Sequence, residues 1–125
     1  MTTTGPRPER FSRAHRLRTA GEFRYVYGTR HRRESGPLLV YAAANDLGHP
    51  RLGLSVSRKV GGAVRRNLVK RCLREAFRKL KVELDQPFDY IVVVRPHRPL
   101  TPDGYAQHLD SLMRRLPDSW RDRSK

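Results

Sequence analysis

The sequence predicts one small α/β domain with the element order α-β-β-α-β-α. Three stretches carry this reading. "RLGLSVS" at 51–57 alternates strictly, with Leu52, Leu54 and Val56 pointing one way and Gly53, Ser55 and Ser57 the other, the pattern of a half-buried strand. "YIVVVR" at 90–95 is a continuous apolar run of strand length, as expected for a strand covered on both faces. "KVGGAVRRNLVKRCLREAFRKL" at 59–80 places apolar residues at helical spacing. A chain of 125 residues suffices for one domain and one modest core. It contains no internal repeat and no linker long enough to divide it.

The elements follow in order. Residues 1–15 are polar, basic and broken by Pro6 and Pro8, and read as a mobile basic arm. The folded domain spans 16–117. Thr19-Ala20-Gly21-Glu22 has the form of a capping box, so a short helix should run to about Tyr27, with Phe23 and Tyr27 on one face and Val26 beside them. "TRHRRESGP" reads as a polar loop. "LLVYAAA" at 38–44 reads as a strand with Leu39 and Tyr41 on one face and Leu38 and Val40 on the other, and "NDLGHP" after it as a hairpin turn. The long helix should extend from about Ala63 to Leu84, and "QPFD" separates it from the last strand. Thr101-Pro102 supplies an N-cap followed by proline at the first helical position. The helix it opens carries Tyr105, Leu109, Leu112, Met113 and Leu116 at helical spacing, and Pro117 stops it. Residues 118–125 read as a frayed tail.

Charge narrows the functional classes. The formal net charge is +15, which repels itself in the compact state and is usually tolerated because a polyanion neutralises it. Nucleic acid is the leading polyanion, and an anionic membrane surface is the alternative. No apolar run is long enough to span a bilayer, and the N-terminal stretch MTTTGPRPER has no apolar core of a secretory signal. The single cysteine, Cys72, excludes an intrachain disulfide framework and a multi-cysteine zinc site. A cytoplasmic protein without a membrane partner is expected.

The charge concentrates on the long helix. Leu68, Val69, Cys72, Leu73, Ala76, Phe77, Leu80 and Leu84 fall within one arc, which should pack on the sheet. Arg66, Asn67, Lys70, Arg71, Arg74, Arg78 and Lys81 fall largely on the other side. Between Arg58 and Lys81 there are ten Lys/Arg and one acid, Glu75, placed to pair with Arg71 and Lys79. A solvated helix face usually alternates its charge signs. Here Arg66, Lys70, Arg74 and Arg78 form an i,i+4 row of one sign, which destabilises the free helix and which a phosphate backbone would relieve.

"RRNLVKRCLREAF" at 65–77, preceded by "LGLSVSRKVGGAV" at 52–64, resembles the signature of the bacterial ribonuclease P protein subunit. The matching positions are Gly53-Leu54-Ser55-Val56, Arg58-Lys59, Gly61, Ala63-Val64, Arg66-Asn67, Lys70-Arg71 and Arg74-Glu75. "RLRTAGEFRYVY" at 16–27 is similar to the family's first helix and "DYIVVVRP" to its last strand, so the resemblance covers about Arg10 to Leu116. Leu68 departs from it, since many members carry a third cation right after the Asn. The resemblance implies an α/β sandwich (ribosomal-protein-S5-domain-2-like) whose mixed sheet contains a left-handed β-α-β crossover, against the usual right-handed preference. It also implies two RNA-facing surfaces. Arg58, Lys59, Arg65, Arg66, Asn67, Lys70, Arg71, Arg74 and Arg78 would contact the large catalytic RNA. A cleft with Arg16, Phe23, Tyr27, Tyr41, Ser55 and Ser57 would receive the single-stranded 5′ leader of precursor tRNA. Aromatic platforms beside positive charge suit single strands. An i,i+4 aromatic pair such as Phe23 and Tyr27 is equally the mark of a core contact, and Phe23 could serve both ends.

The chemistry implied is phosphodiester hydrolysis leaving a 5′ phosphate on tRNA. A protein catalyst would need clustered carboxylates for two Mg²⁺ ions or a histidine acid/base pair. The twelve Asp/Glu are dispersed, without a D-x-D pattern. His15, His31, His49 and His97 fall in loop or arm and His108 on the last helix, where a surface role is expected for each. Gly61-Gly62 lacks the Gly-Lys-Ser/Thr ending of a nucleotide loop, and Cys72 reads as an inert thiol on the apolar face. No catalytic residue is therefore assigned to the protein. The resemblance implies that Mg²⁺ is bound mainly by the partner RNA, that the protein alone is inactive, and that no obligate protein partner is needed. A structural ribosomal-type RNA-binding protein is the competing reading, and a Ser/Gly sheet face beside aromatics argues against it. A DNA-binding domain with a short recognition helix fits the flanking strands poorly.

Overall fold

The computed structural model describes residues 13–84, 87–114 and 116–121. Strands β1 (Arg32–Ser35), β2 (Leu38–Ala44), β3 (Arg51–Val56) and β4 (Phe88–Val94) form one mixed sheet in the order β1-β2-β4-β3. β4 runs antiparallel to β2 and parallel to β3. Helix α1 (Ala20–Gly28) covers one face, and helices α2 (Ala63–Leu80) and α3 (Pro102–Met113) cover the other. The parallel pair β3 and β4 is joined through α2, a β-α-β unit inside the mixed sheet.

Strand periodicity sorts the side chains as expected. Phe88, Tyr90, Val92 and Val94 join Leu38, Val40, Leu52, Leu73, Phe77, Leu109 and Leu112 in the main core. Ile91 and Ala43 face the other way, into a smaller cluster with Leu17 and Val26. β4 is thus buried on both faces, which is why it reads as an uninterrupted apolar run. Burying one such aliphatic side chain stabilises by about 1.5–3 kcal/mol, so the main core dominates the fold's stability. The two caps legible in sequence are present. The Thr19 side chain accepts from Glu22 N while Glu22 accepts from Thr19 N, and Thr101 accepts from Gly104 N ahead of Pro102.

Several expectations are corrected. "TRHRRESGP" is not all loop, because Arg32–Ser35 pairs with β2 as an additional edge strand. A two-residue turn joins them, with Gly36 at φ 56 as such a turn requires. The His108 ring lies so close to Gly36 that an added Cβ would meet it at 2.6 Å. Ser35 Oγ and His108 Nδ1 are 2.7 Å apart and tie α3 to this hairpin. "NDLGHP" is not a hairpin turn, since β4 inserts between β2 and β3. α2 ends at Leu80 and a 3₁₀ turn, Lys81–Glu83, takes its place. Lys81 is buried and leaves the cationic side, whereas Leu68 is exposed and leaves the apolar one. A helical wheel continued to Leu84 misplaces Lys81, because the α-helix stops at Leu80 and the 3₁₀ turn carries its side chain in a different direction.

The chain ends also differ from expectation where they are described. Arg13–His15 forms a 3₁₀ turn, and Asp118–Arg121 forms another. The Trp120 ring stacks on His31 at 5.0 Å with planes 4° apart. The expected mobility of 1–12 and fraying of 122–125 lie outside the described residues.

Candidate nucleic-acid interface

α2 buries Val69, Leu73, Phe77 and Leu80 against the sheet and α3. That fixes the opposite side outward. Asn67, Arg71 and Arg74 are exposed, and Arg66, Lys70 and Arg78 are half-exposed beside them. The approach to the helix is also built locally. Ser57 Oγ accepts from Lys59 N at 3.3 Å and caps the 3₁₀ turn Arg58–Val60, leaving Arg58 and Lys59 exposed. Gly61 follows with φ 154, where a Cβ would collide with the Arg65 side chain. Arg66 Nε donates to Gly61 O at 3.1 Å, and Arg65 donates to the His97 carbonyl. Arg65 is therefore engaged with the loop before α3, apart from the outward row. Glu75 pairs with Arg78 and with Lys79 rather than with the expected Arg71, because i,i+3 geometry favours Arg78 here. Arg78, with Lys79, holds the Glu75 carboxyl below its ordinary range.

The cleft lies on the other sheet face. Tyr41, Gly53 and Ser55 share that face with Ile91 and Val93, as the strand register requires. Phe23 reaches down from α1 onto Gly53, where an added Cβ would meet its ring at 2.7 Å. Its seating against the Leu17–Val26–Ile91 cluster is a packing role, and only a glycine at 53 allows it. Tyr27 and Tyr41 meet edge to face with ring centroids 4.8 Å apart. Tyr27 is exposed and Tyr41 half-buried, so both keep ring surface toward solvent. Ser55 is half-buried on the floor, and Ser57 is exposed with its hydroxyl engaged as the cap above.

Arg16 joins the two surfaces. It bridges to Leu52 at the free edge of β3, and Leu17 N donates to Leu52 O at 3.0 Å. Its charge is felt on α2: partial burial, and then Arg16, lower the Arg74 pKa from its ordinary value. The positive face of α2 thus continues around the β3 edge toward the cleft.

Two contributors escape a reading of sequence alone. Arg32 pairs directly with Tyr41 in register and so stands on the cleft side of the edge strand. Reading its segment as loop hid this. Arg51 anchors α1 to the sheet. Its Nε and Nη2 donate to the two Asp89 carboxylate oxygens at 2.9 and 2.8 Å, and its Nη1 donates to Glu22 at 3.0 Å. Asn45 Nδ2 donates to Asp89 at 2.7 Å. Glu22 also accepts from Arg18 N and Thr19 N. Those two backbone donors, with Arg51 adding to them, lower its pKa from 4.5 to about 2. The alternation that puts Gly53 and Ser55 on the open face puts Arg51 there too, which is the signal that could have found it.

The histidines are half-buried and bonded rather than simply on the surface. His97 lies between Arg95 O and the Tyr105 hydroxyl, each 2.7 Å away, and His49 meets Ala14 O at 3.0 Å. Among the described residues no three His, Cys, Asp or Glu side chains gather in a way that could hold a metal ion. No helix among them is long and apolar enough to cross a membrane.

The model of the family described as ribonuclease P matches residues 11–117. The chain belongs to the ribonuclease P protein family. The ribonuclease P protein component of Chromobacterium violaceum is 48% identical over 84 residues, covering 66% of this chain and 69% of that protein. That of Aliivibrio fischeri is 36% identical over 107 residues, covering 85% and 92%. The RNase P protein of Staphylococcus aureus superimposes with a TM-score of 0.73 at 33% identity, covering 80% of this chain and 93% of that one. The family's function is tRNA 5′ processing, its activity is that of an endoribonuclease complex, and its members work beside an RNA in a ribonucleoprotein.

Proposed function

We propose that this protein binds the catalytic RNA of ribonuclease P through α2 and the 5′ leader of precursor tRNA through the cleft under α1. The observation that carries the reading is the cationic side of α2, where Arg74 is exposed and Arg66 and Lys70 are half-exposed, on a helix whose apolar side is locked into the core. The packed helix holds their backbone in place, so only the side chains are ordered when phosphates arrive, and counterion release then favours assembly. Arg58, Lys59, Asn67, Arg71 and Arg78 extend the same surface. Arg65 contributes from its position against His97.

The leader would enter between Arg32 and Arg16, across Tyr41, Tyr27 and Ser55. Ring faces stack on any base, which suits a leader of variable sequence. Phe23 packs α1 onto Gly53 and so fixes the position of Tyr27 relative to Tyr41. The hydrolysis itself is assigned to the RNA, with Mg²⁺ held mainly by RNA oxygens. The protein screens phosphate repulsion, holds the leader in place and so raises metal affinity indirectly. Cytoplasmic location and independence of an obligate protein partner accompany this reading.

Tyr41→Ala tests the cleft. It leaves α2 intact, so assembly with the RNA should persist. Affinity of the holoenzyme for precursor tRNA should fall by about 1–3 kcal/mol per lost stacked base, toward its affinity for mature tRNA, while Tyr41→Phe should retain it. Binding of both substrates to each holoenzyme is measured. Equal loss for both substrates, or none for either, removes Tyr41 from the leader site.

A further inference from the structure

The first two turns of α2 carry an apolar surface that phosphate binding does not use. Val64 is 86% exposed and Leu68 is 56% exposed. They are the two most exposed large apolar side chains among the described residues. Both line an open groove of about 580 Å³, closed on its other side by Pro99, Leu100 and the buried Tyr105. This is within the size range of sites that take small planar molecules. Arg65 forms part of the wall, and no acidic side chain lines it. The Nε of Arg65 is buried without a hydrogen-bond partner.

We propose that this groove seats an unpaired nucleobase of the partner RNA. The inference deepens the reading of α2 as the RNA-contacting helix and rests on it. Charge complementarity selects the occupant. Arg58 and Lys59 are exposed in the turn that leads into α2, and Arg71 is exposed one turn after Leu68, so cations stand at both ends of the Val64–Leu68 surface to hold a strand. A second copy of this chain would bring another +15 against it. Unpaired bases splayed from an RNA have apolar faces that aliphatic side chains can cover and polar edges that need donors. Arg65 lines the groove and brings its guanidinium charge to such an edge.

The experiment titrates the ribonuclease P RNA of the same organism with wild type, with Val64→Ser/Leu68→Ser and with Arg66→Ala over a range of KCl concentrations. Thermal melts of each protein confirm folding, which exposed positions on a packed helix should tolerate. The groove variant should bind about tenfold more weakly with an unchanged salt slope. Arg66→Ala should flatten the slope by roughly 0.7–0.9. Leu68→Met should restore the affinity lost at Leu68. Unchanged affinity of a folded groove variant, with Arg66→Ala weakened, overturns the base seat and leaves α2 as the RNA helix. Unchanged affinity for both overturns the reading of α2 as well. A wild-type dimer in sedimentation that the groove variant abolishes assigns the groove to a second copy and also overturns the proposal.

Discussion

Replacing Arg51 by methionine should destabilise the fold by about 3–5 kcal/mol, because it leaves the Asp89 carboxylate buried without its cation. The Asp89 side chain is 3% exposed and the Arg51 side chain 17% exposed, so solvent cannot replace the lost partner. Arg51 also holds Glu22, so the same change loosens α1 from the sheet. Melting temperature should drop on the order of 10 °C or more. Arg51→Lys keeps the charge but loses the two-pronged geometry and should fall between. Arg51→Met combined with Asp89→Asn should recover part of the loss, since no uncompensated buried charge remains. Urea denaturation of the four proteins measures this, and a loss below about 1 kcal/mol for Arg51→Met would show that the pair is effectively solvated. The acid limb provides a second readout. The Glu22 pKa is lowered on folding, so its contribution is fully present above about 4.5 and disappears as pH falls toward about 2. Its main causes are backbone donors, so that limb should survive Arg51→Met and flatten in Glu22→Gln.

The combined variant Arg66→Ala/Lys70→Ala/Arg74→Ala should lose RNA affinity on the order of 100-fold or more, with a salt slope reduced by roughly 2–3. Its stability should be unchanged or slightly higher. Each like-charge i,i+4 pair costs the free helix about 0.2–0.5 kcal/mol, and three such pairs are removed: Arg66 with Lys70, Lys70 with Arg74, and Arg74 with Arg78. Few structural residues behave this way, so the two measurements together separate binding from folding. A variant that melts far below wild type while binding RNA normally would make the row a structural feature.

The parts of the fold that could be read in advance are those set by local chemistry. Both helix caps, the alternation of β3 and the doubly buried β4 depend on neighbouring residues alone. What escaped depends on partners distant in sequence. Arg32–Ser35 is a strand only because β2 offers its edge, and no apolar pattern marks it. The segment between β2 and β3 has the composition of a tight turn, yet β4 arrives between them from more than thirty residues away. The limits of α2's buried arc depend on its tertiary neighbours and on the helix stopping at Leu80, which no helical wheel contains, so Leu68 is exposed and Lys81 buried.

The candidate site divides along the same line. The cationic side of α2 is visible because it lies within one helix. The cleft residues come from α1, β2 and β3, and periodicity put each on a face without bringing the faces together. Tyr27 against Tyr41 and Phe23 on Gly53 are tertiary contacts. Arg16, which the resemblance places in the cleft, stands at the β3 edge, where its charge also reaches Arg74.

The most direct measurement is cleavage of precursor tRNA at low Mg²⁺ by the protein alone, by its cognate ribonuclease P RNA alone and by the two together. Only the mixture should release the leader efficiently and leave a 5′ phosphate on the tRNA. Robust cleavage by RNA-free protein would contradict the division of labour proposed here and would require an active site within this chain.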